Sequence, residues 1–261
     1  MNELLIHAHK VNVPVGRCGS FAVEHFYIGK DNAENIRLML HGRTPMEPGL
    51  YTKLTEDGSV WMSDTPEEIE THMPAFNRFA DARGEQRVLI HGLGLGMVLQ
   101  DAIRAKGIIH VDVVEINGDV IDLVGPHYHR MAQRKGVHLN LVQGDCFTYQ
   151  WPRGTKWFAV WHDIWEGYGE DNLPEMAILK RKFGHRTGWQ GCWGQDMCRR
   201  IRDGRYHRNH KRIMDRFHKA MGIPTDAELV KTFADLEAKH AGSNRGVGGG
   251  GSDTGVHQGN D

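Results

Sequence analysis

The glycine-rich segment His91-Gly92-Leu93-Gly94-Leu95-Gly96 restricts the possible folds of this chain more than any other part of it. It directly follows the apolar run RVLI and precedes a segment with helical periodicity. Glycines between a strand and a helix let the backbone approach a ligand, and the free N–H groups of the helix start point at it. The dinucleotide fingerprint would have its third glycine where Met97 stands, which disfavours nicotinamide binding. The turn therefore predicts a ligand-binding loop, with a purely structural tight turn as the alternative.

From Gln86 onward, strand-like and helical patterns alternate. The strand-like runs are RVLIH, IIHVDVVEI, VHLNLV, WFAVWHDI and, as a plausible fifth, TGWQGCWG. Residues 97–105, 119–132 and 173–183 have helical periodicity. Near-continuous apolar strands separated by helices indicate a parallel sheet that is covered on both faces. Right-handed crossovers then give an α/β, Rossmann-like, doubly wound and mostly parallel sheet.

The segment ahead of this sheet indicates a small β-rich region that ends in a helix. In GLYTKLTEDGSVWMS, the dipeptide Asp57-Gly58 separates two strand-like runs, which predicts a hairpin. Ser63 or Asp64 is the expected N-cap of the helix, with Pro66 in its first turn. Apolar residues at helical spacing predict one packed face, and they are Ile69, Met73, Phe76 and Phe79.

We expect four regions along the chain. They are an N-terminal β-rich region with a lead-in helix (1–84), the α/β ligand-binding domain (85–196), basic C-terminal helices (197–241) and a glycine-rich tail (242–261). The tail has little apolar content to bury, so we expect it to be disordered.

Two acidic residues follow the second and third strands of the predicted sheet. Glu115 ends IIHVDVVE, where doubly wound sheets place an acid that accepts hydrogen bonds from ribose hydroxyls. Asp145, with Cys146 beside it, follows VHLNLV, where a carboxylate can accept from the exocyclic amine of adenine. A solvated strand-end carboxylate and an ordinary turn aspartate are the respective alternatives.

The fourth strand ends in the segment Trp161-His162-Asp163-Ile164-Trp165-Glu166. Ligands of open α/β sheets bind at the carboxyl ends of strands, and acids with aromatic rings can surround a cation. Asp163, Glu166 and His162 are therefore candidate catalytic bases, and Asp163 is favoured because it ends the strand. The alternative for Trp161 and Trp165 is a place in the core or an interface.

These features in this order resemble class I methyltransferases that depend on S-adenosylmethionine (SAM). Within that group the resemblance is greatest to the spermidine-synthase-like branch, which includes the polyamine aminopropyltransferases, and it covers about residues 56–195. That branch carries an Asp-Gly ahead of the glycine-rich strand and then an acidic helix start. Here these are Asp57-Gly58 and the segment Asp64-Thr65-Pro66-Glu67-Glu68.

The resemblance implies SAM as the cofactor and assigns residues to its parts. Gly92, Gly94 and Gly96 would approach the methionine part of SAM, and Asp163 would lie near the sulfonium. Glu115 would bind the ribose, and Asp145 with Cys146 would bind the adenine. The full set expected to contact the cofactor is His91, Gly92, Leu93, Gly94, Gly96, Glu115, Ile116, Asp145, Cys146 and Asp163.

The chain also departs from the family pattern. Aminopropyltransferases carry an Asp in the glycine-rich loop, where this chain has Leu95. They also follow the fourth strand with Asp-Ser-Ser/Thr-Asp-Pro, where this chain has Asp163-Ile164-Trp165-Glu166-Gly167. Both changes disfavour aminopropyl transfer. The sixth and seventh strands that usually close a methyltransferase sheet are not evident, so we expect a sheet shortened at its C-terminal edge.

Charge and cysteine content exclude some further functions. The formal net charge of −1 gives no general reason to expect a nucleic-acid or membrane partner. The basic run 199–219 is an expected solvated helical face, with contact to a nucleic acid as the alternative. A zinc site at Cys192, Cys198, His207 and His210 is disfavoured by the spacing, so we expect no bound metal. Four cysteines, no signal sequence and no long apolar run favour a cytoplasmic protein.

Together these observations predict a SAM-dependent methyltransferase that acts on an unidentified acceptor. An aminopropyltransferase that uses decarboxylated SAM, and a SAM-fold module without catalysis, are the alternatives. Aminopropyl-type relatives are often dimers, so the resemblance also leaves a homodimer open.

Overall fold

The computed structural model describes residues 8–29, 35 and 47–205. All of them lie in the first of the two units into which the chain divides, Met1–Arg208. The predicted tail 242–261, the zinc candidates His207 and His210, and most of the basic run 199–219 lie outside these residues.

A four-stranded antiparallel sheet forms the N-terminal part, in the order β1-β2-β3-β4. Its strands are β1 (Gly16–Cys18), β2 (Phe21–Ile28), β3 (Gly49–Glu56) and β4 (Ser59–Ser63). The predicted hairpin at Asp57-Gly58 is confirmed, because this dipeptide joins the antiparallel strands β3 and β4. Both residues have positive φ, 47° and 83°, as a two-residue hairpin turn with the correct twist requires.

The helix that follows, α1 (Pro66–Ala80), begins one residue later than predicted. Its N-cap is Thr65, so the expected cap at Ser63 or Asp64 is wrong. The buried Asp64 carboxylate instead accepts hydrogen bonds from the backbone N–H groups of Thr52 (2.6 Å) and Val11 (3.2 Å). These bonds attach the start of α1 to the N-terminal sheet, and the carboxylate is no longer available to cap the helix.

The second sheet has the predicted parallel, doubly wound architecture. Its order is β7-β6-β5-β8-β9, and every neighbouring pair is parallel. The strands are β5 (Gln86–His91), β6 (Ile108–Glu115), β7 (His138–Gln143), β8 (Ala159–His162) and β9 (Gln190–Cys192). The chain reverses its direction of strand addition between β5 and β8, which is where open α/β sheets bind ligands. Within the described residues this sheet ends at β9.

Helix α2 (Met97–Arg104) connects β5 to β6, α3 (Gly118–Lys135) connects β6 to β7, and α4 (Asn172–Phe183) connects β8 to β9. Helix α5 (Gln195–Arg202) follows β9. The first, α2, agrees with its prediction to within a residue, whereas α3 is longer at both ends than predicted. The side chain of Asn117 accepts from the Asp119 N–H at the start of α3, and Gly136 ends it with φ 69°. An Asn N-cap and a Gly C-cap are strong signals of helix ends. The predicted bounds of α3 were too short because they were based on apolar periodicity alone.

Two apolar clusters cover the two faces of the parallel sheet. On one face, Val88 and Ile90 of β5 belong to a large cluster with residues of α1, α2 and α3. On the other face, Leu89 of β5 packs with Leu179 and Phe183 of α4. Neighbouring residues of β5 thus enter opposite clusters, as the pleat of a sheet buried on both sides requires.

None of the helices within residues 8–29 and 47–205 combines the length and apolar content needed to cross a lipid bilayer.

Candidate active site

A cavity of about 390 Å³ opens at the carboxyl ends of the central parallel strands. Pockets of this size hold small molecules or cofactors. The residues that line it come from β4, α1 and the segments after β5 to β9; they are Trp61, Met62, Glu68, Gly92, Gly94, Val114, Glu115, Ile116, Gly144, Asp145, Cys146, Phe147, Asp163, Ile164, Trp165, Glu166 and Trp193. The predicted residues Gly92, Glu115, Asp145 and Asp163 therefore share one cavity.

The glycine-rich turn follows β5 and contributes Gly92 and Gly94 to the cavity wall. Both have positive φ, 90° and 49°. Gly96 (φ 75°) is the N-cap of α2 and is not part of the lining. A Cβ on Gly96 would lie 2.1 Å from the Tyr128 ring, whose hydroxyl donates to the Leu95 carbonyl oxygen (2.7 Å). The third glycine therefore makes room for a core side chain.

Glu115 connects the glycine-rich turn to the end of β6. Its Oε2 accepts from the Leu93 N–H (2.7 Å), and its Oε1 accepts from the Asn117 N–H (2.8 Å). The side chain is 8% exposed and borders the cavity. Each carboxylate oxygen has a second lone pair, so Glu115 can also accept from hydroxyl groups of a ligand. The neighbouring Ile116 lines the cavity and is 69% exposed.

Asp145 and Cys146 form the cavity wall after β7. Asp145 Oδ1 accepts from the Phe147 N–H (2.8 Å), which fixes the turn. Burial raises the pKa of the Cys146 thiol to about 12, so this cysteine stays protonated and acts as an apolar wall. The Lys182 ammonium on α4 donates to the carbonyl oxygens of Cys146 (3.0 Å) and Phe147 (2.8 Å), which anchors the segment from behind.

Asp163 follows β8 and lines the cavity, and its side chain is 21% exposed. Its backbone N–H donates to the His91 carbonyl oxygen (2.9 Å), which continues the β5–β8 pairing up to the cavity. Burial raises the pKa of Asp163 to about 6, and His72 opposes part of that rise. A carboxylate with a pKa near 6 is ionised at neutral pH and still accepts a proton readily, as a general base must. Glu166 also lines the cavity.

The two predicted histidines, His91 and His162, do not line the cavity. Both are fully buried, and their Nδ1 atoms lie 2.8 Å apart. Their rings contact Phe183 of α4, so they point to the face of the sheet that α4 covers. Burial lowers the pKa of His162 to about 4, which keeps this ring neutral. This geometry gives His162 no route to a ligand, in contrast to Asp163.

Several lining residues were not predicted because they come from distant parts of the chain. Met62 of β4 lies against the glycine-rich turn, where its Sδ accepts from the Leu95 N–H (3.0 Å). Trp193 follows β9, and its indole N–H donates to Thr71 Oγ1 of α1 (2.7 Å). Trp165, by contrast, was named in the sequence analysis together with Asp163, and its indole N–H donates to Glu175 Oε2 (2.8 Å).

Behind the wall lies a further residue that the sequence did not indicate, His72 of α1. It is 1% exposed, and its Nδ1 lies 3.6 Å from Asp163 Oδ2. On the other side, its Nε2 lies 3.8 Å from Glu68 Oε1. His72 shares its helix face with Ile69 and Phe76, so the helical pattern gave it no signal beyond burial.

Among the described residues, the cavity lining includes acidic and aromatic side chains but no Lys or Arg. The carboxylates are Glu68, Glu115, Asp145, Asp163 and Glu166. Such a wall favours ligands that carry positive charge or donate hydrogen bonds. Within residues 8–29 and 47–205, no group of three His, Cys, Asp or Glu side chains is arranged to hold a metal ion.

No protein-family model and no curated protein sequence matches this chain. Part of the chain is similar to solved structures of methyltransferases. A coclaurine N-methyltransferase bound to N-methylheliamine and SAH is 16% identical over 51% of this chain and 36% of its own, with a TM-score of 0.35. A dimethyladenosine transferase from Plasmodium falciparum is 18% identical over 41% of this chain and 34% of its own (TM-score 0.31). Protein arginine methyltransferase 10 of Arabidopsis thaliana is 16% identical over 44% and 32% (TM-score 0.33).

The chain thus matches about a third of the length of each of these structures.

Proposed function

We propose that this protein is a SAM-dependent methyltransferase whose cofactor and acceptor share the cavity described above. The observation that carries the proposal is the convergence of four strand ends on one cavity. Gly92 after β5, Glu115 at the end of β6, Asp145 after β7 and Asp163 after β8 all line it. These are the positions at which a doubly wound sheet binds a nucleoside-containing ligand.

The residues present fit an adenosyl group. Glu115 offers buried acceptor lone pairs for ribose hydroxyls, and the apolar Ile116 and Cys146 offer contact surface for a flat ring. Asp145 supplies a carboxylate for an exocyclic amine. The described part of the lining is acidic and has no Lys or Arg, which suits a sulfonium cation better than a pyrophosphate, because a pyrophosphate needs positive partners. This fit also favours SAM over a dinucleotide.

When bound, SAM supplies a methyl group on a sulfonium sulfur, and both electrons of the broken C–S bond stay with the sulfur. The acceptor forms the new bond with its lone pair and releases a proton. In the proposed site Asp163 takes that proton, since it lines the cavity and its carboxyl group has a pKa of about 6. Trp61, Trp165 and Trp193 restrict access of water and hold the acceptor in line, which supplies much of the rate enhancement.

Membership of the spermidine-synthase-like branch is part of this proposal. The hairpin at Asp57-Gly58 and the acidic start of α1 support it, since β4 and α1 contribute Met62 and Glu68 to the cavity. Methyl transfer is favoured over aminopropyl transfer because Leu95, at the place of the loop acid, is fully buried.

The decisive experiment is calorimetry with four ligands, SAM, S-adenosylhomocysteine, decarboxylated SAM and NAD. We expect the first two to bind and NAD not to bind. Tighter binding of decarboxylated SAM than of SAM would favour aminopropyl transfer, and no heat with any adenosyl compound would refute the proposal. Incubation with SAM and pooled acceptors then separates an enzyme, which produces S-adenosylhomocysteine, from a module without catalysis.

Paired variants connect the binding to the cavity. Glu115→Gln removes a charged acceptor, and we expect it to weaken S-adenosylhomocysteine binding about tenfold or more. Glu85→Gln makes the same chemical change at an exposed position just before β5, at the other end of that strand, and should leave the affinity unchanged. Equal affinities of the two variants would place the ligand elsewhere.

A further inference from the structure

The arrangement of His72 between two cavity carboxylates is not explained by packing alone. Its imidazole is 1% exposed, and neither ring nitrogen has a hydrogen-bond partner among the described residues. A buried polar ring without partners is unfavourable, and a purely structural position would be better filled by an apolar residue. The nearest acceptors are Asp163 Oδ2 at 3.6 Å and Glu68 Oε1 at 3.8 Å.

Both Asp163 and Glu68 line the cavity, so the imidazole lies between two residues that a ligand would touch. The rings of Trp161 and Trp193 contact His72 from its sides and leave it little freedom to turn. Catalytic hydrogen bonds are often long in a free enzyme and shorten when the substrate binds. A small movement of Asp163 toward His72 would therefore give a charge-assisted hydrogen bond.

We infer that His72 is a positioning residue that keeps the Asp163 carboxylate ionised and aimed at the methyl acceptor. The inference rests on the proposed function only in that Asp163 is taken as the base. The pairing of His72 with Asp163 stands on the geometry itself. The acceptor proton moves to Asp163, while His72 remains protonated behind it and donates to the carboxylate.

Charges around the pair agree with this assignment. Burial lowers the pKa of His72, but Asp163, Glu68 and, more weakly, Asp101 raise it, and the net effect is an increase. Burial raises the pKa of Asp163, as do Glu68 and Glu115, whereas His72 lowers it. Each member of the pair thus favours the charged form of the other.

The test is an NMR titration that needs neither cofactor nor acceptor. The side-chain carboxyl carbon of Asp163 is followed against pH in the wild-type protein and in His72→Gln. Because an opposite charge within about 4–6 Å lowers a carboxyl pKa by about one unit or more, we expect Asp163 to titrate about one pH unit higher in the variant. His129→Gln, at an exposed position on α3, is the matched control and should leave the Asp163 titration unchanged.

The reciprocal measurement keeps the test valid if His72→Gln does not fold. In Asp163→Asn, the imidazole carbons of His72 should titrate at lower pH by a similar amount, because coupling between two sites is equal in both directions. A structural role for His72 would move neither titration. Titrations of Asp163 and His72 that do not respond to each other's substitution overturn the inference.

Failure of the inference is distinguishable from failure of the proposed function. S-adenosylhomocysteine binding by calorimetry reports on the function, and we expect His72→Gln to keep the affinity within about threefold, since His72 does not line the cavity. Coupled titrations without any S-adenosylhomocysteine binding would support the pair and refute the function. S-adenosylhomocysteine binding with uncoupled titrations would support the function and refute the pair. With an acceptor in hand, the acid limb of the rate profile should shift with the Asp163 titration.

Discussion

The Cα of Gly92 lies so close to the carbonyl oxygen of Asp163 that a Cβ at this glycine would be 1.8 Å from it. Gly92 follows β5 and Asp163 follows β8, and these two strands are neighbours at the centre of the parallel sheet. The close approach brings the glycine-rich turn and the proposed base to the same side of one cavity. Glycine is required here for space as well as for its φ of 90°.

We therefore predict that Gly92→Ala destabilises the protein by roughly 3 kcal/mol or more and abolishes S-adenosylhomocysteine binding. The clashing atom belongs to the backbone, so no side-chain rotation can relieve the contact. Gly136→Ala is the matched control, because Gly136 also has a positive φ (69°) but no atom within 4 Å of the added Cβ. It should cost only the conformational strain, about 1–2 kcal/mol. Denaturant unfolding of both variants provides the comparison, and equal losses would show that the contact is unimportant.

A second prediction concerns Gly94 and Met62. A Cβ at Gly94 would lie 2.2 Å from Met62 Sδ, so Gly94→Ala forces this flexible side chain to move within the cavity wall. We expect S-adenosylhomocysteine to bind at least about tenfold more weakly to that variant. Adding Met62→Ala to Gly94→Ala should restore part of the affinity, because it removes the side chain that clashes. Adding Met62→Leu instead keeps the bulk of the side chain and should not restore it. Identical affinities of the two double variants, measured by calorimetry, would argue against a steric cause.

The general fold and the outline of the site were predictable because both follow from local patterns. Apolar runs fix where parallel strands lie, and strand ends in such a sheet meet at one edge. This reasoning located Glu115, Asp145 and Asp163, which the structure brings to one cavity. It did not show which way His91 and His162 point, since a strand buried on both faces carries no alternation of polarity to orient its side chains.

The rest of the site depends on contacts between distant segments. Met62 reaches the glycine-rich turn from the N-terminal sheet, and Trp193 reaches α1 from the end of β9. His72 lies among apolar positions of α1 and resembles an ordinary core residue until Asp163 is placed beside it. Gly96 shows the opposite case, where a motif position serves the packing of Tyr128. No spacing rule in one sequence encodes such pairings.

The pKa of Asp163 gives a prediction for activity. A general base works only when ionised, and a carboxyl group is ionised above its pKa, which is about 6 here. The rate of S-adenosylhomocysteine formation at low acceptor concentration should therefore rise about tenfold per pH unit below pH 6 and level off above it. Asp163→Asn should reduce turnover at least about a hundredfold while changing the affinity for SAM much less. Equal losses in turnover and affinity would assign Asp163 to binding alone.

The buried pair His91 and His162 predicts how stability depends on pH. Burial lowers the pKa of His162 from 6.5 to about 4, so between these values the unfolded chain binds a proton that the folded protein does not. Stability from this group is fully present above pH 6.5 and is lost as the pH falls toward 4. The loss amounts to about 3 kcal/mol.

His162→Asn removes the titrating ring. The free energy of unfolding of this variant should therefore fall less steeply over this range, whatever the substitution costs at neutral pH. Denaturant unfolding at several pH values between 4 and 7 measures the two slopes. If the free energies of unfolding of the wild type and the variant fall in parallel, protonation of His162 does not destabilise the folded protein. The assignment of His91 and His162 as a neutral buried pair would then be wrong.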